Sequence, residues 1–327
     1  MTTTNNFATS LIAEAKRRRQ RIILPESNDT RVLAAATRAQ TDGIADCILL
    51  GDEKETRKNA QAAGINLSAD TMIVAPDIAR LAPLLASLRA SKGMDETTAA
   101  HWLSQDPVAA AAIMLKHGEA DGMVAGAATA SAAVLRPFLQ IIGKAKNASL
   151  ASSFFLMCLP EGAKLFADCA LNVRPTAAQL ADIAAQSAAN AQKFGITPIV
   201  ALLSYATGDS TASEEVARIA EATELAQKLL PNTPVVGPIQ YDAAISPTVA
   251  AQKAPQWKSA GHATVLIFPD VASGNIAYKA VQHAAKIVAI GPLLQGLAAP
   301  ANDLSRGATI DDVYYTIAAT AIQAGQT

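Results

Sequence analysis

From Pro300 the chain reads Pro300-Ala301-Asn302-Asp303-Leu304-Ser305-Arg306-Gly307-Ala308-Thr309-Ile310-Asp311-Asp312, a polar loop running into an apolar helical pattern. Ser305, Arg306, Asp311 and Asp312 place a hydroxyl, a guanidinium and two carboxylates where the unpaired N–H groups of a helix start form an anion seat. These are the materials of an acyl or phosphoryl transfer site. Thr309 followed three residues later by Asp312 is also a capping box, in which the carboxylate closes the backbone donors of the helix beginning there. The local pattern leaves both roles open, and they can coexist.

Two more strand-to-helix junctions carry glycine and hydroxyl groups of the kind that cradle anions: Ala206-Thr207-Gly208-Asp209-Ser210-Thr211 and Asp270-Val271-Ala272-Ser273-Gly274-Asn275. Thr207, Gly208, Ser273, Gly274 and Asn275 are therefore candidate phosphate or acyl contacts, although turns and N-caps use the same residues. No GxxxxGK[ST] occurs, which excludes a Walker-type kinase or ATPase, and no GxGxxG opens a helix after the first strand. A Gly-x-Ser-x-Gly elbow is absent too, against an α/β-hydrolase. His101, His117, His262 and His283 stand apart from one another and from the cysteines, so no metal site is expected.

Elements must position these residues, and the chain alternates short β-rich runs with helical patterns. Strands are expected at Arg21 to Leu24, Cys47 to Leu50, Met72 to Ala75 and Asp121 to Ala125, with helices from Thr30 to about Gln40, Asp77 to Ser91 and Pro107 to His117. After the polar break Lys144-Ala145-Lys146-Asn147, Ser149 to Leu159 and Leu165 to Leu171 read as a hairpin turning at Pro160-Glu161-Gly162. A helix from about Thr176 to Phe194, a strand Ile199 to Ser204, a helix Ser213 to Leu230 and strands Thr264 to Phe268 and Ile287 to Ile290 follow. The class is α/β, with parallel-rich sheets covered by helices and ligands at the strand C-ends. A length of 327 residues favours two domains, here 1–147 with 292–327 and 148–291.

Composition narrows the partners. A formal net charge of −1 provides no field for nucleic acid or an acidic membrane, so an anionic ligand must meet local Arg or Lys clusters. Three cysteines, Cys47, Cys158 and Cys169, lie in apolar segments and suit reduced thiols better than a disulfide framework. No apolar run approaches a membrane span, and the basic stretch Lys16 to Arg21 reads as the solvated end of a first helix; a cytoplasmic protein is expected.

The chain also contains, in order, Leu24-Pro25-Glu26 with Asp29 and Arg31, Asp121-Gly122-Met123-Val124, Arg136-Pro137 and Leu159-Pro160-Glu161-Gly162. Asp168-Cys169-Ala170, Ser204-Tyr205, Asp242-Ala243-Ala244, Phe268-Pro269-Asp270, Gly274-Asn275-Ile276 and Gly291-Pro292 through Gly307 continue the series. Together these blocks resemble the phosphate acetyltransferase (phosphotransacetylase) family over nearly the whole chain. The resemblance implies interconversion of acetyl-CoA and phosphate with CoA and acetyl phosphate, with no bound cofactor and no metal. It further implies two α/β domains with the site in the cleft between them, the last helix folded onto the first domain, and a homodimer. The architecture is related to that of the isocitrate and isopropylmalate dehydrogenases.

By that resemblance Asp312 is the base for the CoA thiol, Ser305 its hydrogen-bonding neighbour and Arg306 the cation of the reacting centre, while Arg89 and Arg136 hold CoA. One segment departs from the family pattern. Ala127 to Ala133 is alanine-rich where a polar stretch is usual, with Ala133 at a position commonly Asp and Ala130 at one commonly a hydroxyl, leaving Thr129 and Ser131 to hydrogen-bond. The alternatives are a non-catalytic acetyl-CoA-binding module on the same scaffold and an acyltransferase for propionyl or butyryl groups.

Overall fold

A computed structural model describes residues 6–208 and 210–325. The chain begins α1 (Asn6–Arg17), β1 (Gln20–Leu24), α2 (Thr30–Thr41), β2 (Ala45–Leu50), α3 (Glu53–Ala62), β3 (Met72–Val74) and α4 (Ile78–Leu88). It continues through α5 (Glu96–Gln105), α6 (Pro107–Lys116), β4 (Gly122–Ala125), α7 (Ser131–Pro137) and a π-helical turn at Phe138–Ile142. Next come β5 (Ser152–Leu159), β6 (Gly162–Ala167), α8 (Ala177–Lys193), β7 (Val200–Leu203), α9 (Glu214–Leu229), β8 (Val235–Ile239), α10 (Tyr241–Ile245) and α11 (Pro247–Lys253). β9 (Val265–Ile267), α12 (Val271–Ala285), β10 (Ala289–Gln295), β11 (Ala301–Asp303) and α13 (Ile310–Ala324) complete the order.

Two compact units divide the chain. One is Ser10–Lys146 with the segment from Leu297 onward; the other is Asn147–Gly296 with the residues up to Thr9. The expected crossing at 292 falls inside β10, which pairs antiparallel with β5 from Ala289 to Gln295, so the crossing comes after Gly296.

In the first unit an all-parallel sheet runs β11-β4-β1-β2-β3. Apolar runs dominate β2, β3, β4 and the end of β1, as expected of a sheet covered by helices on both faces, while β11 carries the polar Asn302 and Asp303. α6 is buried along its length from Val108 to Leu115, which explains why its sequence shows no polar stripe. Asp106 starts it by accepting from the Val108 and Ala109 N–H groups, with Pro107 at the first helical position. α13 packs on α2 and β4. Its buried polar residues are matched: Asn302 Nδ2 on β11 donates to Thr320 Oγ1 and Gln323 Oε1, each at 2.8 Å.

The second unit holds a mixed sheet, β10-β5-β6-β9-β7-β8. β5 and β6 form the expected hairpin, closed by the pair Leu159 with Gly162. β6 stops at Ala167, short of the expected Leu171. The reason is Asp168, whose buried carboxylate accepts the backbone N–H groups of Ala170, Leu171 and Asn172 and so folds them into a turn. α3 escaped sequence reading because only Thr56 and Ala60 of its residues are buried, leaving no apolar stripe. β8 was hidden by Gly237-Pro238 within it.

Candidate active site

Strand order fixes where the first unit can bind a ligand. The chain runs outward from β1 through β2 to β3, and β4 and then β11 fall on the other side of β1. At such a reversal the loops leaving the strand C-ends diverge and open a crevice. The segments after β1, β4 and β11 meet here, with Asp303 in register with Ala125.

The segment after β4 is a run of backbone donors. Gly126 and Ala127 give their N–H to Glu26 Oε2, both at 2.8 Å, while Ala128 and Thr129 give theirs to Oε1 at 3.0 and 2.8 Å. Glu26, only 8% exposed, thus occupies from inside the chain what would otherwise be an anion cradle. Thr129 is therefore tied by its backbone, leaving its hydroxyl to offer. Ser131, at the start of α7, lies near the Asp303 carboxyl and acts to lower its pKa.

Arg31, in the first turn of α2, joins the three segments. Its Nε and Nη2 donate to Asp29 at 3.0 and 2.7 Å, Nη2 also donates to Ala127 O at 2.6 Å, and Nη1 donates to Arg306 O and Ala308 O, both at 2.8 Å. All five guanidinium N–H groups are accounted for. The hydrogen-bonded Arg31 holds the Asp29 carboxyl below the usual carboxylate range, and Asp29 in turn raises Arg31.

Those carbonyls belong to the turn that carries Ser305 and Arg306. The Ala308 N–H donates to Ser305 O at 2.8 Å and the Gly307 N–H to Ser305 Oγ at 3.2 Å. The side chains of Ser305 and Arg306 are exposed, and the Arg306 guanidinium has no hydrogen-bond or ion-pair partner among the described residues. Asp312 Oδ2 accepts from Thr309 N and Oγ1, each at 2.8 Å, and Thr309 Oγ1 accepts the Asp312 N–H. The capping box is real, and it orients Asp312 at the head of α13 directly after the Ser305 turn.

Asp303 is a site residue that sequence reading passed over. It is 5% exposed, its Oδ1 has no hydrogen-bond partner among the described residues, and its pKa is raised to about 6. Burial is the main cause and the neighbouring Glu26 charge adds to it, against the lowering effect of Ser131. Glu26, Asp29 and Arg31 stand together in one motif; Asp29 acts locally as the cap of α2 and the partner of Arg31, whereas the bonds of Glu26 and Arg31 to the other two segments are long-range and invisible to spacing.

Arg89 and Arg136 flank the π-helical turn. Arg89 caps α4 and donates from Nη1 to Gln140 O at 2.9 Å, with its buried Nε unpartnered among the described residues. Arg136, exposed in the last turn of α7, lies 4.9 Å from the Trp102 ring centroid, a ring held by the Trp102 Nε1 bond to Asp106 Oδ2 at 3.0 Å.

Residues 6–321 match the family model described as "Phosphate acetyl/butaryl transferase". The chain belongs to this family. It is 48% identical over 322 residues to the phosphate acetyltransferase of Escherichia coli (strain K12), covering 98% of this chain and 45% of that protein. The chain thus spans about half the length of the curated relatives it matches. A crystal structure of a phosphotransacetylase from Streptococcus pyogenes matches with TM-score 0.93 and 37% identity over 100% of both chains. A putative 4-hydroxythreonine-4-phosphate dehydrogenase from Salmonella typhimurium shares the fold alone, at 13% identity and TM-score 0.53 over 93% of this chain and 97% of that one.

In this member of the family, the second unit's candidate loops are built differently from the expectation. Ser273, Gly274 and Asn275 are not in a loop: α12 starts at Val271, and Asp270 caps it by accepting the Ser273 N–H at 2.8 Å. Gly274 packs so tightly on Asp168 O that a Cβ would collide with it, and Asn275 Nδ2 donates to Cys169 O at 3.1 Å. Thr207 is buried and its Oγ1 accepts the Gln240 N–H at 3.1 Å, while the Gly208 N–H donates to Pro238 O at 2.9 Å. Internal bonds thus employ the Thr207 hydroxyl, the Gly208 and Ser273 N–H groups and the Asn275 amide. No helix among the described residues is long and apolar enough to cross a membrane.

Proposed function

We propose that this chain is a phosphate acetyltransferase, interconverting acetyl-CoA and phosphate with CoA and acetyl phosphate by direct attack of the CoA thiolate in a ternary complex. The observation that carries the reading is the head of α13, where the exposed Ser305 turn, the unpaired Arg306 guanidinium and the oriented Asp312 carboxylate follow one another. A thiol near its usual pKa of about 8.5 is mostly protonated at neutral pH, and Asp312 takes its proton while Ser305 hydrogen-bonds the sulfur. Arg306 and the free N–H groups of the helix start bind phosphate and the charge that develops on the carbonyl oxygen. Arg89 and Arg136 bind the CoA phosphates, and Thr129 and Ser131 offer hydroxyls to phosphate or the acyl group.

Charge supports this division. A cavity of about 470 Å³ beside the 126–129 turn is lined by Glu26, Asp29, Asp52 and Glu55 with no Lys or Arg, so a phosphate belongs on the Arg306 side of the crevice. The buried thiols support the absence of an acyl-enzyme: burial pushes Cys47 and Cys158 up to about 12 and raises Cys169 as well, keeping them protonated. The proposal includes a homodimer in the cytoplasm, on the family resemblance. Phosphate-dependent release of CoA from acetyl-CoA tests it, with propionyl- and butyryl-CoA ranking the acyl chains. Turnover is expected, fastest with acetyl; binding of acetyl-CoA without turnover overturns the enzyme reading in favour of a binding module.

A further inference from the structure

Glu26 is the feature that the transfer chemistry leaves unused. Its carboxylate is buried at the C-terminal edge of the sheet, and it accepts four consecutive backbone N–H groups at 2.8 to 3.0 Å. A single carboxylate has room for about four such bonds, so both oxygens are filled by one turn. Four successive amides aimed at one point form a geometry that does not persist without an anion, because the N–H dipoles repel one another and would be left unpaired. The side chains here cannot supply that order, since residues 126–128 are Gly, Ala and Ala.

The turn is also mechanically connected. Ala127 O is gripped by Arg31, whose other arm holds Arg306 O and Ala308 O. Gly126 itself lies so close to Asp303 Oδ1 and the Leu304 backbone that a Cβ there would collide with both, and Asp303 precedes the Ser305 turn by two residues. Displacement of the 126–129 turn therefore reaches the Ser305–Arg306 turn by two routes.

We propose that Glu26 is a positioning residue of the transfer site: its carboxylate is the internal anion that folds the 126–129 turn and thereby sets the Thr129 and Ser131 hydroxyls and the Ser305–Arg306 turn. It touches no substrate. Its effect on rate rests on the acetyl-transfer reading; its effect on the turn does not.

The test uses the full chain with Glu26→Gln and Glu26→Ala. Glu26→Gln keeps the volume and one acceptor oxygen but turns an NH2 group toward two of the four donors. Amide hydrogen exchange at 126–129 should accelerate about tenfold or more in this variant, with exchange in β1 and β4 unchanged. Its kcat for phosphate-dependent CoA release should fall about 10- to 100-fold while the KM for CoA stays within about twofold, as expected when placement rather than binding is lost. Glu26→Ala removes the equivalent of an acetate ion, and added acetate should restore part of its kcat while leaving wild type unaffected. Unchanged exchange at 126–129 in Glu26→Gln overturns the proposal, as does a wild-type kcat in either variant or loss of rate that acetate leaves untouched in a folded Glu26→Ala. Should Glu26→Ala not fold, Glu26→Gln decides alone. If wild type itself shows no phosphate-dependent release, the functional reading fails, and the exchange measurement still decides the role of Glu26 in the turn.

Discussion

At Asp312 a capping role and a chemical role fall on one carboxylate, and a single substitution separates them. Asn at this position keeps an oxygen for the Thr309 N–H and so retains most of the cap, but it takes no proton. Asp312→Asn should therefore lose kcat by about 100-fold or more with little change in the KM for CoA and in melting temperature. A variant that melts earlier but turns over at the full rate would reduce Asp312 to a cap. Asp303 makes a different prediction, through pH. Its carboxyl titrates near 6 in the folded chain against 3.8 ordinarily, so the folded state keeps its proton over a range in which the unfolded chain has lost it. Stability from this group is complete below about pH 4, falls as pH rises to about 6 and stays low above. Asp303→Asn has no such titration, and between pH 4 and pH 7 it should gain up to about 3 kcal/mol relative to wild type in urea unfolding. Parallel pH dependences for the two proteins would rule this out. Ser305, Arg306 and Asp312 were legible in the sequence because they are neighbours along the chain; the environment of Asp303 is made by Glu26 and Ser131, 277 and 172 residues away, and no local pattern reports it.

The three turns of the crevice are short, and side chains of the segment after β1 hold the other two: Glu26 the 126–129 turn and Arg31 the Ser305 turn. Gly126 illustrates how little slack remains: its φ is +109°, and a Cβ there would collide with Asp303 Oδ1 and the Leu304 backbone. Gly126→Ala should cost about 3 kcal/mol or more, seen as a fall in the urea midpoint, and should take activity with it even where the protein still folds. Arg136 sits at the end of α7 with its guanidinium over Trp102 rather than in an ion pair. If it binds CoA, Arg136→Ala should raise the KM for CoA about tenfold or more with a smaller effect on kcat, since a charge-assisted bond to phosphate is worth about 1.5 to 3 kcal/mol. An unchanged KM would remove it from the cofactor site. Most strands and the capped helices were legible from apolar runs and N-caps. What sequence obscured had local causes: α3 has a capping carboxylate but no apolar stripe, the start of α12 is set by the Asp270 cap, β8 is interrupted by Gly237-Pro238, and the end of β6 is set by the Asp168 carboxylate.

For the whole chain, a net charge of −1 and two α/β units describe a scaffold whose electrostatic work is local, done by single arginines at turns. Direct transfer predicts that no acetyl group resides on the protein during turnover. Mass spectrometry of protein quenched in the steady state with acetyl-CoA and phosphate should find the unmodified mass; an acetyl adduct on Cys158 or Cys169 that forms and decays at the turnover rate would refute the ternary mechanism. The same cysteines have a practical consequence. Cys47, Cys158 and Cys169 are each at most 1% exposed and none is in a disulfide, so native protein is shielded from maleimides and from air oxidation alike. A colorimetric sulfhydryl reagent added to a running reaction will register liberated coenzyme alone, and the protein should keep its rate through storage without a reducing agent.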